Sequence, residues 1–279
     1  MTKTYDCFCY FNEDMLLELR LETLWDRVDF FVISEATYTQ VGKPKPLNFN
    51  LHRFDKYKSK IRYVAVENFP PGPPGFWKNE NYQRNRVADG LFDAEKDDVI
   101  IVSDLDEIPR PEAIGTYDPK RYKRGDFEQR AFAYYLNNQL MDGELPARWY
   151  GSKITTFGHL TNFFGNASAV RSYKSQGLTR RIRRWWFRKF DVQIIGDGGW
   201  HFTWVLPPEG IVAKMEAIAE QEVIKEEYKQ TAYITSKINS GEDLLNPRSK
   251  YVAQDVIHPR FPRHLVENST TYHRWLRRT

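Results

Sequence analysis

The stretch Val99-Ile100-Ile101-Val102-Ser103-Asp104-Leu105-Asp106-Glu107-Ile108-Pro109 decides how this chain reads. Four apolar residues in succession, with polar residues on either side, suit a strand covered on both faces, as in a parallel sheet. The run then passes straight into Asp104, Asp106 and Glu107. Acids packed this closely repel one another, so the cluster is unfavourable unless a positive charge relieves it. A hard divalent cation would do so: Mg2+ and Mn2+ suit oxygen ligands, and such ions bind through one or two carboxylates together with substrate phosphates. The alternative is a solvated acidic turn that caps the next element, helped by Pro109 and Pro111. The place of the cluster favours the ion, because ligands of open α/β sheets bind where strands end at their carboxyl side.

Working outward, Tyr5 to Phe11 is a short apolar and aromatic run that reads as a first strand. Leu17, Leu21, Leu24 and Val28 follow at helical spacing, with Asn12 or Asp14 available as cap. Asp29 to Ser34 and Ile61 to Val66 read as further strands, and Lys78 to Lys96 as a helix. Asn68 to Gly75, rich in proline and glycine, is a loop by composition. Phe127 to Leu136 reads as another strand and Glu209 to Tyr228 as a helix with Ile211, Met215, Ile218 and Val223 on its apolar face. Strands alternating with helices predict an α/β fold with a Rossmann-like, mostly parallel sheet flanked by helices. The predicted division is a main domain over 1–240 and a basic, proline-rich extension over 241–279.

The 279 residues and 41% hydrophobic content allow a sizeable core, and a net charge of +4 excludes a general polyanion binder. The positive charge is local: Arg171 to Lys189 holds eight Lys or Arg and no acid. Cys7 and Cys9 are read as free thiols, which suits a reducing compartment. Without a visible leader or an apolar run near the roughly 20 residues that span a bilayer, the expected location is cytoplasmic.

Four stretches in order resemble glycosyltransferase family 17. They are Tyr5-Asp6-Cys7-Phe8 through Phe11-Asn12-Glu13; Val32-Ile33-Ser34-Glu35-Ala36 with Gly42-Lys43-Pro44; Val99 to Pro109; and Gly199-Trp200-His201 through Pro208-Glu209-Gly210-Ile211. The resemblance covers roughly residues 5 to 230. It implies a GT-A-type fold, an inverting mechanism, a UDP-sugar donor (N-acetylglucosamine first among them) and a saccharide acceptor, lipid-linked or otherwise. Carried over, Asp106 binds Mn2+ or Mg2+ directly, Asp104 binds it through water or meets the ribose, and His201 is a third ligand. A lone histidine between aromatics reads equally as buried and structural. Donor contacts are assigned to Glu35 at a strand end, to Gly42 and Lys43 near the diphosphate, and to Arg84, which bridges phosphate or pairs with Asp104. Their bland counterparts are a solvated basic loop and a surface ion pair.

An inverting transfer needs a base for the acceptor hydroxyl. Glu209 is the first choice and Asp197 the second, with Asp142 and Glu144 kept open; Glu209 also reads simply as an acid in a helix's first turn. Trp200 and Trp204 are read as sugar platforms, against core packing. Arg180 to Phe190 interleaves cations with Trp185, Trp186, Phe187 and Phe190. It is read as a solvated basic face, or as peripheral contact with an anionic membrane or acidic acceptor, and not as a nucleic-acid site. The rival functions are a haloacid-dehalogenase-type phosphatase built on Asp104-Leu105-Asp106, and a non-catalytic carbohydrate-binding module.

Overall fold

The computed structural model describes residues 2–68, 75–173, 185–246 and 248–278. The loop read at 68–75 and the basic run at 180–184 therefore lie largely outside the described residues.

One mixed sheet organises the molecule. Its strands are β1 (Thr4–Cys9), β2 (Phe30–Ala36), β3 (Ile61–Val66), β4 (Val99–Asp104), β5 (Glu107–Pro109), β6 (Arg124–Ala133), β7 (Asn138–Asp142), β8 (Leu145–Pro146), β9 (Arg148–Trp149), β10 (Lys153–Thr156), β11 (Val192–Thr203) and β12 (Lys250–Ala253). The spatial order is β12-β7-β6-β10-β4-β1-β2-β3, with β11 bridging β6 and β5. The block β3-β2-β1-β4 is parallel throughout, and β11 runs parallel to β6. The remaining ladders, including β10 on β4, are antiparallel. This is the α/β sheet with flanking helices that the sequence pattern predicted.

The apolar run of β4 is buried on both faces because successive side chains alternate across the sheet. Ile101 joins Phe8, Phe31 and Ile33 beneath the helix Asp14–Leu24. Ile100 and Val102 join Tyr5, Cys7 and Val32 on the opposite face, covered by Val87, Leu91 and Val170. The predicted helix over Lys78 to Lys96 is shorter: Phe76–Asn85 is α-helical and Arg86–Leu91 continues as a tighter 3-10 turn. Glu209 to Tyr228 is likewise broken: Pro208–Ala217 is α-helical, Ile218 turns to an extended backbone, and a 3-10 turn follows at Glu226–Lys229.

Residues after Gly241 are part of the same body. β12 adds to the edge of β7, and Phe261, Leu265 and Tyr272 pack into the core under the first helix. The sequence reading missed β11. Gly196, Gly198 and Gly199 weaken its strand signature, and the ladder with β6 shifts register between Ile195 and Gly199. Gly199 (φ +133°) is required there, since a Cβ would meet the carbonyl oxygen of Ile108 at 2.2 Å.

Candidate active site

A cleft of about 470 Å3 opens at the carboxyl ends of β1 and β4. β1 delivers Cys9, Tyr10 and Phe11 to it, and β4 delivers Asp104 and the turn to Glu107; β6 and β11 supply Ala131, His201 and Thr203. Among the described residues, seven acidic and two ammonium side chains line it, so its charge is strongly negative.

The acidic turn is held from below by Arg20, which is fully buried. Its Nη1 donates to the carbonyls of Asp104 and Leu105 at 3.0 Å and of Glu107 at 2.8 Å. Its Nε and Nη2 engage both oxygens of Asp6 at 2.7 and 2.6 Å. One planar guanidinium thus joins β1 to three backbone acceptors of the turn, which fixes where the carboxylates point.

The three carboxylates divide the work. Asp104 faces Arg84 at 2.8 Å and Arg171 at 2.6 Å, while its side chain stays 39% exposed to the cleft. Burial raises its pKa, but the two guanidinium groups outweigh that and hold it well below the usual carboxylate range. Glu107 is sealed in: it accepts from Trp149 Nε1 at 2.8 Å and from the Asp104 amide at 3.0 Å, and it pairs with Arg171. A Cβ on Gly151 would lie 1.8 Å from Glu107 Oε1, so any side chain there would push the Glu107 carboxylate out of its place. Asp106 places Oδ2 3.2 Å from Lys214 Nζ and Oδ1 3.8 Å from His201 Nε2. Lys214 also reaches Glu13 at 3.2 Å. Burial lowers its pKa, but Asp106 and Glu13 more than reverse this and raise it.

His201 stacks on Trp149 with centroids 4.6 Å apart, and its buried Nδ1 has no hydrogen-bond partner. Among the described residues no three His, Cys, Asp or Glu side chains converge so as to enclose an ion by themselves. A carboxylate beside an imidazole in an acidic cleft nevertheless fits a hard divalent ion that completes its shell from substrate phosphate and water.

Of the predicted site residues, Asp104, Asp106, His201 and Trp204 line the cleft, and Arg84 pairs with Asp104 behind its wall. Others are placed elsewhere. Glu35 is fully buried and saturated by Lys45 Nζ (2.6 Å), the amides of Asn48 (2.6 Å) and Phe49 (3.0 Å) and Tyr63 OH (2.9 Å), so its carboxylate holds a loop rather than a donor. Gly42 (φ +91°) and Lys43 form an exposed turn, and Lys45 is the cation of that loop that reaches the cleft. Trp200, 1% exposed, donates to the carbonyl of Arg260 at 2.8 Å and belongs to the core, not to a sugar platform. Glu209 is exposed in the first turn of its helix, where an acid suits the dipole. Asp197 is exposed and pairs with Arg110 at 3.1 Å. Neither lines the cleft, and nor do Asp142 and Glu144.

Sequence reasoning missed Arg20, Arg171, Lys214 and Glu220. Lys214 lay three residues beyond a motif already quoted, and Arg171 opened the basic run. Glu220 lines the cleft, and its pKa is raised by burial and by Glu80.

Comparisons with known proteins agree with the sequence resemblance. Residues 1–118 match the model of glycosyltransferase family 17. The chain is 27% identical over 294 residues to the human beta-1,4-mannosyl-glycoprotein 4-beta-N-acetylglucosaminyltransferase, covering 94% of this chain and 52% of that protein. The rat protein of the same name is 28% identical over 289 residues, covering 92% and 51%. The chain thus spans about half the length of the curated relatives it matches. Among solved structures, Mycobacterium tuberculosis glucosyl-3-phosphoglycerate synthase in complex with Mn2+, uridine-diphosphate-glucose and glycerol 3-phosphate overlays with a TM-score of 0.41 at 14% identity, covering 95% of this chain and 91% of that one.

Proposed function

We propose that this chain is an inverting, metal-dependent glycosyltransferase that moves N-acetylglucosamine from a UDP-sugar to a saccharide acceptor. One observation carries the reading: an acidic cleft stands where the parallel strands of a family 17 segment end, with Asp106 beside a histidine whose second nitrogen is unpartnered. The relatives' shared name supports the sugar. A cleft this acidic repels a diphosphate unless a cation comes with it.

Asp106 and His201 would hold that ion, Mn2+ or Mg2+, and when bound it supplies Lewis-acid stabilisation of the leaving diphosphate. Everything else is the chain's own work. Lys214, fixed between Glu13 and Asp106, is a second cation at the same place and is ready for charge that grows on the leaving group. Asp104, with its charge already balanced by Arg84 and Arg171, orients the donor by hydrogen bonding, as a ribose contact would require. Trp204, 8% exposed at the cleft wall, offers an edge to the acceptor. Glu220 takes the acceptor hydroxyl proton, since a carboxyl with a raised pKa is the better base.

The test is a screen of UDP-sugars with and without Mn2+, on the native chain and on Asp106→Ala. Turnover of UDP-N-acetylglucosamine that requires the metal, and that falls by about 100-fold or more in a variant of unchanged circular dichroism, supports the proposal. Full activity in Asp106→Ala overturns the metal assignment. Hydrolysis of aryl phosphates without UDP-sugar turnover favours the phosphatase reading.

A further inference from the structure

A second cavity, of about 530 Å3, lies on the other side of Arg171. Among the described residues its wall carries four cations, Arg124, Lys153, Arg171 and Arg188, against a single acid, Asp126. It is built from rigid elements: Arg124 and Asp126 stand on β6, Lys153 on β10 and Arg171 at the end of the helix Ala167–Arg171.

The one acid is already engaged. Arg124 grips Asp126 through Nε at 2.6 Å and Nη2 at 3.0 Å, and Lys153 Nζ reaches it at 2.9 Å. Arg124 and Lys153 are 7% and 5% exposed, so two cations share one carboxylate in a poorly solvated place. Burial lowers the pKa of Lys153, and Arg124 and Arg171 act in the same sense against the attraction of Asp126. Arg171 is paired with Asp104 and Glu107, and Lys153 Nζ also donates to the carbonyl of Tyr150 at 2.8 Å. That leaves Asp126 as the one carboxylate for the two buried cations Arg124 and Lys153, and burying such an excess is costly unless it is compensated. Arg188 stands exposed at the rim. Tyr150 and Ser172 line the wall as well, with their hydroxyl groups already donating to Glu128 and to the carbonyl of Ser168.

We infer that this cavity binds a phosphate-class oxyanion, held by Arg124, Lys153 and Arg188 and separated from the acidic cleft by Arg171. Guanidinium forks and a point ammonium are the donors that phosphate oxygens take up. The anion has two possible sources, a soluble phosphate or diphosphate and a phospholipid headgroup. Trp185 and Trp186, each 54% exposed, and Phe190, 46% exposed, are close neighbours of Arg188 along the chain, and exposed aromatics beside a cation suit the interface at which a headgroup would bring its lipid. The inference does not depend on the glycosyl-transfer reading.

The experiment is calorimetric titration of sodium pyrophosphate into the full chain in EDTA, where the acidic cleft, without a divalent ion, repels the probe. The expected result is saturable, salt-sensitive binding, weaker by about tenfold in Lys153→Met. Arg188→Ala, a surface change that leaves the fold alone, is expected to weaken it several-fold, and Lys214→Met in the cleft to leave it unchanged. Flotation with phosphatidylglycerol-containing and pure phosphatidylcholine vesicles separates the sources. Binding to the anionic vesicles that is lost in Arg188→Ala assigns a lipid headgroup, and pyrophosphate binding alone assigns a soluble phosphate. Two outcomes overturn the inference: no pyrophosphate or anionic-vesicle binding by the native chain, or binding abolished by Lys214→Met and untouched by Lys153→Met and Arg188→Ala.

Discussion

The cleft and the cavity share a wall and differ in sign. Among the described residues, seven carboxylates and two ammonium groups line the cleft on one side of Arg171, and four cations and one carboxylate line the cavity on the other. Arg171 touches Asp104 and Glu107 of the first while lining the second. Each cavity is out of balance by itself, and the imbalance of each says what it should take up. The acidic cleft needs a cation before it can admit a diphosphate, and the basic cavity can take an oxyanion directly.

The largest expected effect comes from removing the shared wall. Arg171→Met leaves Asp104 and Glu107 without their common partner, and breaking a buried pair in this way costs about 3–5 kcal/mol. Urea unfolding should show that loss, and a change under 1 kcal/mol would mean that the two regions are not electrostatically joined.

Glu220 tests the acidic side in a different currency. Glu220→Gln is expected to lower kcat by about 100-fold, with KM little changed, if this carboxylate is the base. Stability should move the opposite way. The folded pKa of Glu220 is raised above 4.5, so its protonated form is favoured by folding and its charged form opposes it. The variant should therefore be more stable than the native chain at neutral pH, and the gain should fade as pH falls through the raised value toward 4.5. Loss of turnover without that gain would separate the catalytic role from the repulsion.

Lys214 measures how far the protein already supplies its own cation. Lys214→Met exposes Asp106 and Glu13 to each other, so Mn2+ affinity read by electron paramagnetic resonance should rise by about tenfold even as transfer slows. Unchanged Mn2+ affinity would show that the ammonium and the ion do not compete for Asp106.

The smallest effect belongs to the basic side. The folded pKa of Lys153 is lowered from 10.5, so between the lowered value and 10.5 the unfolded chain binds more protons and stability rises with pH. Thermal unfolding across that window should show a gain in the native chain that Lys153→Met lacks. Equal slopes in both would place the titrating group elsewhere.

The chain's local pattern carried much of this. The apolar run of β4, the strands β1 to β3 and the acidic turn were legible because alternation, burial and charge clustering act over a few neighbouring residues. The family resemblance, and not the local pattern, added His201 to Asp104 and Asp106 as a set. β11 was hidden by its glycines, whose use as close-approach points shows only when β5 lies against them. Trp200, Glu35, Glu209 and Asp197 were misplaced for a related reason: a strand-end acid or an aromatic near a motif says nothing about which side of the sheet it meets.

What the sequence determined by itself is that a buried strand ends in carboxylates too close to coexist unaided, because sequence neighbours cannot escape one another's charge. Tertiary structure decided which cations answer them. Arg20, Arg84, Arg171 and Lys214 arrive from distant segments, and pairing between charges depends on separation in space and on burial, neither of which is written along the chain.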